Sequence, residues 1–120
     1  MTPGYLRHRQ EVASILDPRK WPLEWLENEV REGRIAILEN DTAIIGVEKK
    51  VYPGGYVELH GMFAAGELGG ILELIDAAVQ VAEAQGMDGA TISSREGWAR
   101  ILKSRGFVPQ QLTITKELLP

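Results

Sequence analysis

The apolar positions change period along the chain, and the changes mark out its elements. Tyr5, His8 and Arg9, Val12, Ile15 and Leu16 recur at helical spacing, so residues 5–16 read as an amphipathic helix. Asp17 ends it, because a residue before proline (here Pro18) is pushed out of the helical region. A second helix starts near Trp21, with Pro22 in the first turn, where its missing N–H costs nothing. Trp25, Leu26 and Val30 continue the period and Gly33 stops it. Trp21 and Trp25 flank this apolar face and read as core or lid packing.

Beyond Gly33 the period falls to two. Residues 34–38 (RIAIL) and 42–51 read as strands joined by a tight turn at Asn40–Asp41, hence an antiparallel hairpin. Glu48, Lys49 and Lys50 lie at its far end and read as a solvated edge. Pro53-Gly54-Gly55 makes the next turn, and residues 56–63 the third strand. Strict alternation there puts Tyr56, Glu58, His60 and Met62 on one face and Val57, Leu59 and Phe63 on the other. Residues 64–70 read as a glycine-bearing loop that opens a helix over 70–85, which Gly86 stops. A short strand over 89–94, a helix over 95–105 with Ser94 as its N-cap, and a last strand over 112–117 complete the chain. The order is α-α-β-β-β-α-β-α-β: an α/β fold with one mixed sheet, helices on both faces and a parallel β-α-β crossover.

Composition narrows the function. At 120 residues, 1–120 is expected to be a single domain. A net charge of -4 argues against nucleic-acid binding, which needs a basic surface. There is no cysteine, so disulfides and thiolate metal sites are excluded. No apolar run is long enough to span a membrane, and the N-terminus lacks the apolar core of a signal peptide, so a cytoplasmic location is expected. His8 stands among arginines and reads as a surface residue. Two histidines without paired ligand spacing suggest no metal site. Glu58 and His60 sit two apart on one strand and are neighbours that can share a proton.

This order, with a glycine-bearing loop and a helix after the third strand, resembles the GNAT superfamily of N-acetyltransferases. The resemblance runs over residues 34–118. Gapless from Met62, it places Gly70 on a motif glycine of the family's (Q/R)-x-x-G-x-(G/A) loop, with Leu74–Ile75 near its leucine pair. Ala82 and Gly86 close the helix at the family's spacing, and Lys103-Ser104-Arg105-Gly106-Phe107 is similar to its closing signature. The resemblance implies an acyl-CoA N-acyltransferase fold whose first strand is missing or very short. It implies acetyl-CoA as cofactor, with Met62, Ala64, Gly66, Gly69 and Gly70 as the residues to hold it. It implies a base on the strand leading to the loop, Glu58 first and His60 second. The oxyanion donor would be a backbone N–H near Met62.

The chain also departs from the pattern. Glu67 stands where the family has arginine or glutamine; a second register uses Gly66, Gly69 and Gly70 as the cradle and puts Ala65 there. Leu68 and Leu72 replace small residues. Leu102 stands at the position of the tyrosine that protonates the departing thiolate, and Arg95 at an asparagine position. Two readings follow. In the first, favoured by these residues, the protein is a non-catalytic or weakly active binding or assembly module with a degraded acetyl-CoA signature. Small diverged chains of this kind resemble phage and prophage proteins, and a homo-oligomer or protein partner would suit Trp21, Trp25 and Phe63. In the second it is an acetyl-CoA-dependent N-acetyltransferase acting on a small amine or protein amine.

Overall fold

The computed structural model describes residues 1–118. The chain opens with α1 (Pro3–Ile15) and α2 (Leu23–Arg31). Thr2 caps α1 by accepting from the Tyr5 N–H, with Pro3 at the first helical position. Pro22 is the N-cap of α2 and lies outside the first turn expected for it. Its carbonyl accepts from Trp25 at 3.0 Å and Leu26 at 3.2 Å, so the helix starts one residue later. The two helices are tied by Glu27, which accepts from the buried Tyr5 hydroxyl at 3.0 Å and from Arg9 Nε at 2.7 Å. Burial and the Glu27 carboxylate push the Tyr5 hydroxyl up to about 12, so it stays a donor.

Four strands follow: β1 (Ile35–Glu39), β2 (Ala43–Val51), β3 (Val57–Gly66) and β4 (Gly89–Ile92). They lie in that order, with β1–β2 and β2–β3 antiparallel and β3–β4 parallel. The crossover is α3 (Leu68–Ala84); α4 (Glu96–Leu102) follows β4 and runs into a 3-10 turn at Lys103–Arg105. The hairpin turn between β1 and β2 is held by Asn40, whose side-chain oxygen accepts from Thr42 and Ala43. Its amide nitrogen donates to the Gly70 carbonyl at 3.0 Å, which fixes the start of α3 against the turn.

The sheet separates two apolar cores. On one side Tyr5, Val12, Leu16 and Leu26 of the first helical pair meet Ile35, Ile44, Phe63 and Ala65. On the other, Ile71, Leu74, Ile75 and Ala78 of α3 and Leu102 of α4 meet Ala43, Ile45 and Val47. This is the mixed sheet with helices on both faces that the apolar pattern predicts.

Several expectations change. The first concerns β3. Gly46 pairs with Phe63 but Val47 pairs with Gly61, which leaves Met62 as an extra residue, a β-bulge. One extra residue reverses the alternation. Phe63 and Ala65 therefore face α1 and α2, on the same side as Glu58 and His60, while Leu59 and Ala64 face α3. The expected grouping of Phe63 with Leu59 is overturned. Gly46 opposite makes room: a Cβ there would run into the Phe63 ring.

β3 also runs on to Gly66, because Ala64, Ala65 and Gly66 pair with Ile45, Ile44 and Ala43. The expected loop over 64–70 shrinks to Glu67, which is already the N-cap of α3. The N-cap of α4 is Arg95 and carries no side-chain cap bond, so Ser94 does not cap it. The last expected strand, 112–117, does not form. Leu112 is 82% and Ile114 87% exposed, and the apolar alternation finds neither a ladder nor a face to bury. Phe63 is buried and Trp25 packs on the same core, which leaves Trp21 as the exposed member of the expected aromatic patch.

Candidate functional site

The two halves of β3 carry the candidate residues. Residues 58–61 are paired on both sides, to β2 and to β4. On the α1–α2 side of the sheet, Glu58 lies beside Lys50, and His60 between Glu48 and Thr91. Glu58 is 6% and His60 9% exposed, so neither candidate base meets solvent freely.

A chain of hydrogen bonds joins them to β4. The Thr91 hydroxyl donates to Glu58 Oε2. His60 Nδ1 lies 2.8 Å from Thr91 Oγ1, and Ser93 Oγ lies 3.1 Å from His60 Nε2. Thr91 has one proton and gives it to Glu58, so its oxygen accepts from His60. The network thereby assigns the neutral Nδ1–H tautomer, with Nε2 as a bare acceptor toward Ser93. Burial, reinforced by Lys50, lowers the His60 pKa from its ordinary 6.5; Glu48 and Glu58 oppose this. His60 is thus an uncharged base at neutral pH. Among the described residues, every buried side-chain polar atom has a hydrogen-bond partner. Tyr52 comes to the Glu58 side of the site, and partial desolvation with the Glu58 charge raises its pKa. Tyr56 is structural: its hydroxyl is 3.4 Å from the Asp88 carbonyl.

In the second half, residues 62–66, Met62 bulges out of the ladder and Phe63 to Gly66 pair with β2 alone. The last β3–β4 bond runs from Ser93 N to Gly61 O at 3.2 Å, after which β4 gives way to the approach to α4. The edge of β3 beyond Gly61 carries no further strand among the described residues. Met62 sits in the bulge, half-buried against the α1–α2 core, and Ala64 is half-buried against the α3 core.

The edge leads to the N-terminus of α3. Glu67 makes no side-chain cap bond, so the first-turn N–H groups of Leu68, Gly69 and Gly70 lack an intrahelical partner. The three expected glycines differ in kind. The Gly66 N–H donates to Glu11 Oε2 at 2.9 Å, and its φ of +108° requires glycine. Gly70 is buried, and a Cβ there would strike the Thr42 side chain. Gly69 alone is demanded by nothing in the protein: no atom lies within 4 Å of where its Cβ would be. Glu67 is exposed and its N–H is taken by the Thr42 carbonyl at 3.1 Å. Leu102, at the position expected for a proton donor, is 3% exposed and fills the core.

A cavity of about 30 Å³ lies between the sheet and α3, lined by Ile45, Leu59, Ile75 and Phe107 among others. It has room for about one water and no polar lining to hold it, so it is a packing gap. No group of His, Asp or Glu among the described residues is placed to hold a metal ion. No helix among them is long and apolar enough to cross a membrane.

Thr91 and Ser93 are the residues that sequence reasoning missed. Two polar side chains at i and i+2 of a strand parallel to Glu58 and His60 were the available signal; the pairing register that brings them together was not readable.

No family model matches the sequence, and comparison with curated proteins gives no match. Solved structures do match in fold. The ribosomal-protein-alanine N-acetyltransferase of Brucella melitensis biovar Abortus 2308 superposes with TM-score 0.66 at 12% identity, over 94% of this chain and 95% of that one. A predicted acetyltransferase with acetyl-CoA from Clostridium acetobutylicum gives 0.65 at 15% identity, over 92% and 84%. Glucosamine-6-phosphate N-acetyltransferase from Arabidopsis thaliana gives 0.60 at 11%, over 80% and 76%. The chain has the GNAT acetyltransferase fold.

Proposed function

We propose that this protein is an acyl-CoA-dependent N-acyltransferase whose acceptor is a small or protein-borne amine. The observation that carries this reading is the hydrogen-bonded Glu58–Thr91–His60–Ser93 chain, buried at Glu58 and His60 and open to solvent at Ser93, where β3 and β4 part. A core loses stability by burying such groups, and here they converge on one unprotonated nitrogen. His60 Nε2 can take a proton, Thr91 holds the ring, and the Glu58 charge favours the positive charge the ring gains.

The residues around α3 fit the cofactor in part. The N–H groups of Leu68 and Gly69 point out of a helix N-terminus, where an anionic phosphate is stabilised. The space over Gly69 admits close approach. Met62 and Ala64 offer the strand edge to an amide-bearing arm. When bound, acetyl-CoA supplies an activated acyl group. Glu11 and Glu67 work against it by placing negative charge at the same helix end. Isothermal calorimetry with acetyl-CoA tests the reading. A saturable heat and a raised Tm are expected, about 2.7 kcal/mol of stabilisation at a hundredfold excess over Kd. No response at millimolar ligand removes the reading.

Those two carboxylates and the buried Leu102 favour a second reading, a GNAT-fold module that binds a protein partner or a second copy without catalysis. Gel filtration with light scattering separates the two. A strict monomer that binds acetyl-CoA rejects the second.

A further inference from the structure

We propose that Ser93 is an acyl-accepting nucleophile, so that the acyl group passes through an ester on this residue before it reaches the amine. The geometry is that of an activated serine: a hydroxyl 3.1 Å from an imidazole nitrogen whose other nitrogen is held by a third group. Here Thr91 is the third group and Glu58 the anion behind it. The orientation matters as much as the distance. Because Thr91 gives its proton to Glu58, His60 keeps its own on Nδ1 and presents a lone pair to Ser93. Glu58 and His60 are buried, while Ser93 is exposed. The most accessible member of the chain is therefore the Ser93 hydroxyl.

The position suits the role. Ser93 N holds the last β3–β4 bond, so its side chain stands at the point where the two strands part. The donor is a thioester, which rests on the function proposed above; the reactivity of the hydroxyl does not. In the first step Ser93 Oγ attacks the thioester carbonyl, and its proton passes to His60 Nε2. A C–O bond forms, the C–S bond breaks, and the proton on Nε2 leaves with the thiolate as a thiol. In the second step an amine attacks the ester and gives a proton to His60 Nε2. The C–N bond forms, the C–O bond breaks, and that proton returns to Ser93 Oγ. Nothing is oxidised or reduced.

The test needs no coenzyme. The full chain is treated with p-nitrophenyl acetate, and acetylated peptides are timed by mass spectrometry. The neighbouring Ser94, which has no hydrogen bond to His60 among the described residues, serves as the internal standard. Ser93 is expected to acetylate roughly 10²–10⁴-fold faster than Ser94, the range for a positioned base. His60→Gln should remove that advantage, and Ser93→Ala, at an exposed position, should abolish the fast label in a folded protein. Equal rates at Ser93 and Ser94, or a Ser93 rate unchanged by H60Q, overturn the proposal. Calorimetry with acetyl-CoA on the same sample separates the two ideas. Fast Ser93 labelling without coenzyme binding upholds the nucleophile and rejects the donor. Coenzyme binding with slow labelling rejects the nucleophile and leaves the acyltransferase reading standing.

Discussion

Residues 58–61 and 62–66 of β3 belong to one strand and share one partner, β2, yet they are built for different tasks. The first half is paired on both edges and buries a carboxylate and an imidazole. The second half is paired on one edge and carries small residues up to a helix N-terminus. Met62 lies at the join. Were Met62 paired in regular alternation and not bulged, the face that holds His60 would not also hold Phe63. The bulge therefore lets one face carry a polar chain and then, two pairing steps on, an apolar core. Reactive groups and a free edge are brought side by side because the strand changes its alternation where its second partner leaves.

Phe63→Ala breaks the comparison most severely. It empties the place that the bulge gives Phe63 in the α1–α2 core. Losing a buried phenylalanine costs about 3–5 kcal/mol, a large part of the stability of a chain this size. The variant is expected to melt many degrees below the parent in scanning calorimetry. A melt within a few degrees of the parent would show that Phe63 does not face that core.

Thr91→Val tests the first half by itself. It leaves the Glu58 carboxylate and the His60 Nδ1–H without their shared partner at nearly unchanged volume. A loss of about 1–3 kcal/mol in urea unfolding is expected from the stranded polar groups. The pH profile adds a signature. The folded His60 pKa lies below the ordinary 6.5, so below that pH the unfolded chain takes up a proton that the folded chain refuses. Stability is full above 6.5 and falls as the pH drops through 6.5 toward the folded value. His60→Gln should flatten that fall.

Gly69→Ala acts on the second half and should have the smallest effect on stability. A helical glycine with free space over it gains about 0.5–1 kcal/mol when replaced by alanine. The same methyl stands where the coenzyme phosphate would approach, so acetyl-CoA binding should weaken about tenfold or more. A variant that is more stable and binds equally well would place the phosphate elsewhere.

The layers of the fold were legible in the sequence because they follow from periodicity. The helices, the hairpin at Asn40 and the crossover each carry a local signal. What was not legible depends on pairing. A bulge leaves no mark in alternation when Met62 and Phe63 are both apolar. The glycine-rich stretch looked like a loop because glycine punctuates chains, yet Ala64 to Gly66 extend a ladder. The tail over 112–117 has a strand's alternation, but propensity is realised only where a partner strand and a face to bury are present. Of the candidate bases, the sequence named Glu58 and His60. Thr91 and Ser93, which decide where the proton sits, come from a strand some thirty residues on and become neighbours only through the parallel register.

The most direct test of that chain is the state of the His60 ring. Two-bond nitrogen–proton correlation spectra of the uniformly labelled protein at pH 7 distinguish the two neutral tautomers from the imidazolium. The structure predicts a neutral His60 with its proton on Nδ1 and a free Nε2 that accepts from Ser93. An imidazolium at that pH, or a proton on Nε2, would contradict the relay and with it the activation of Ser93.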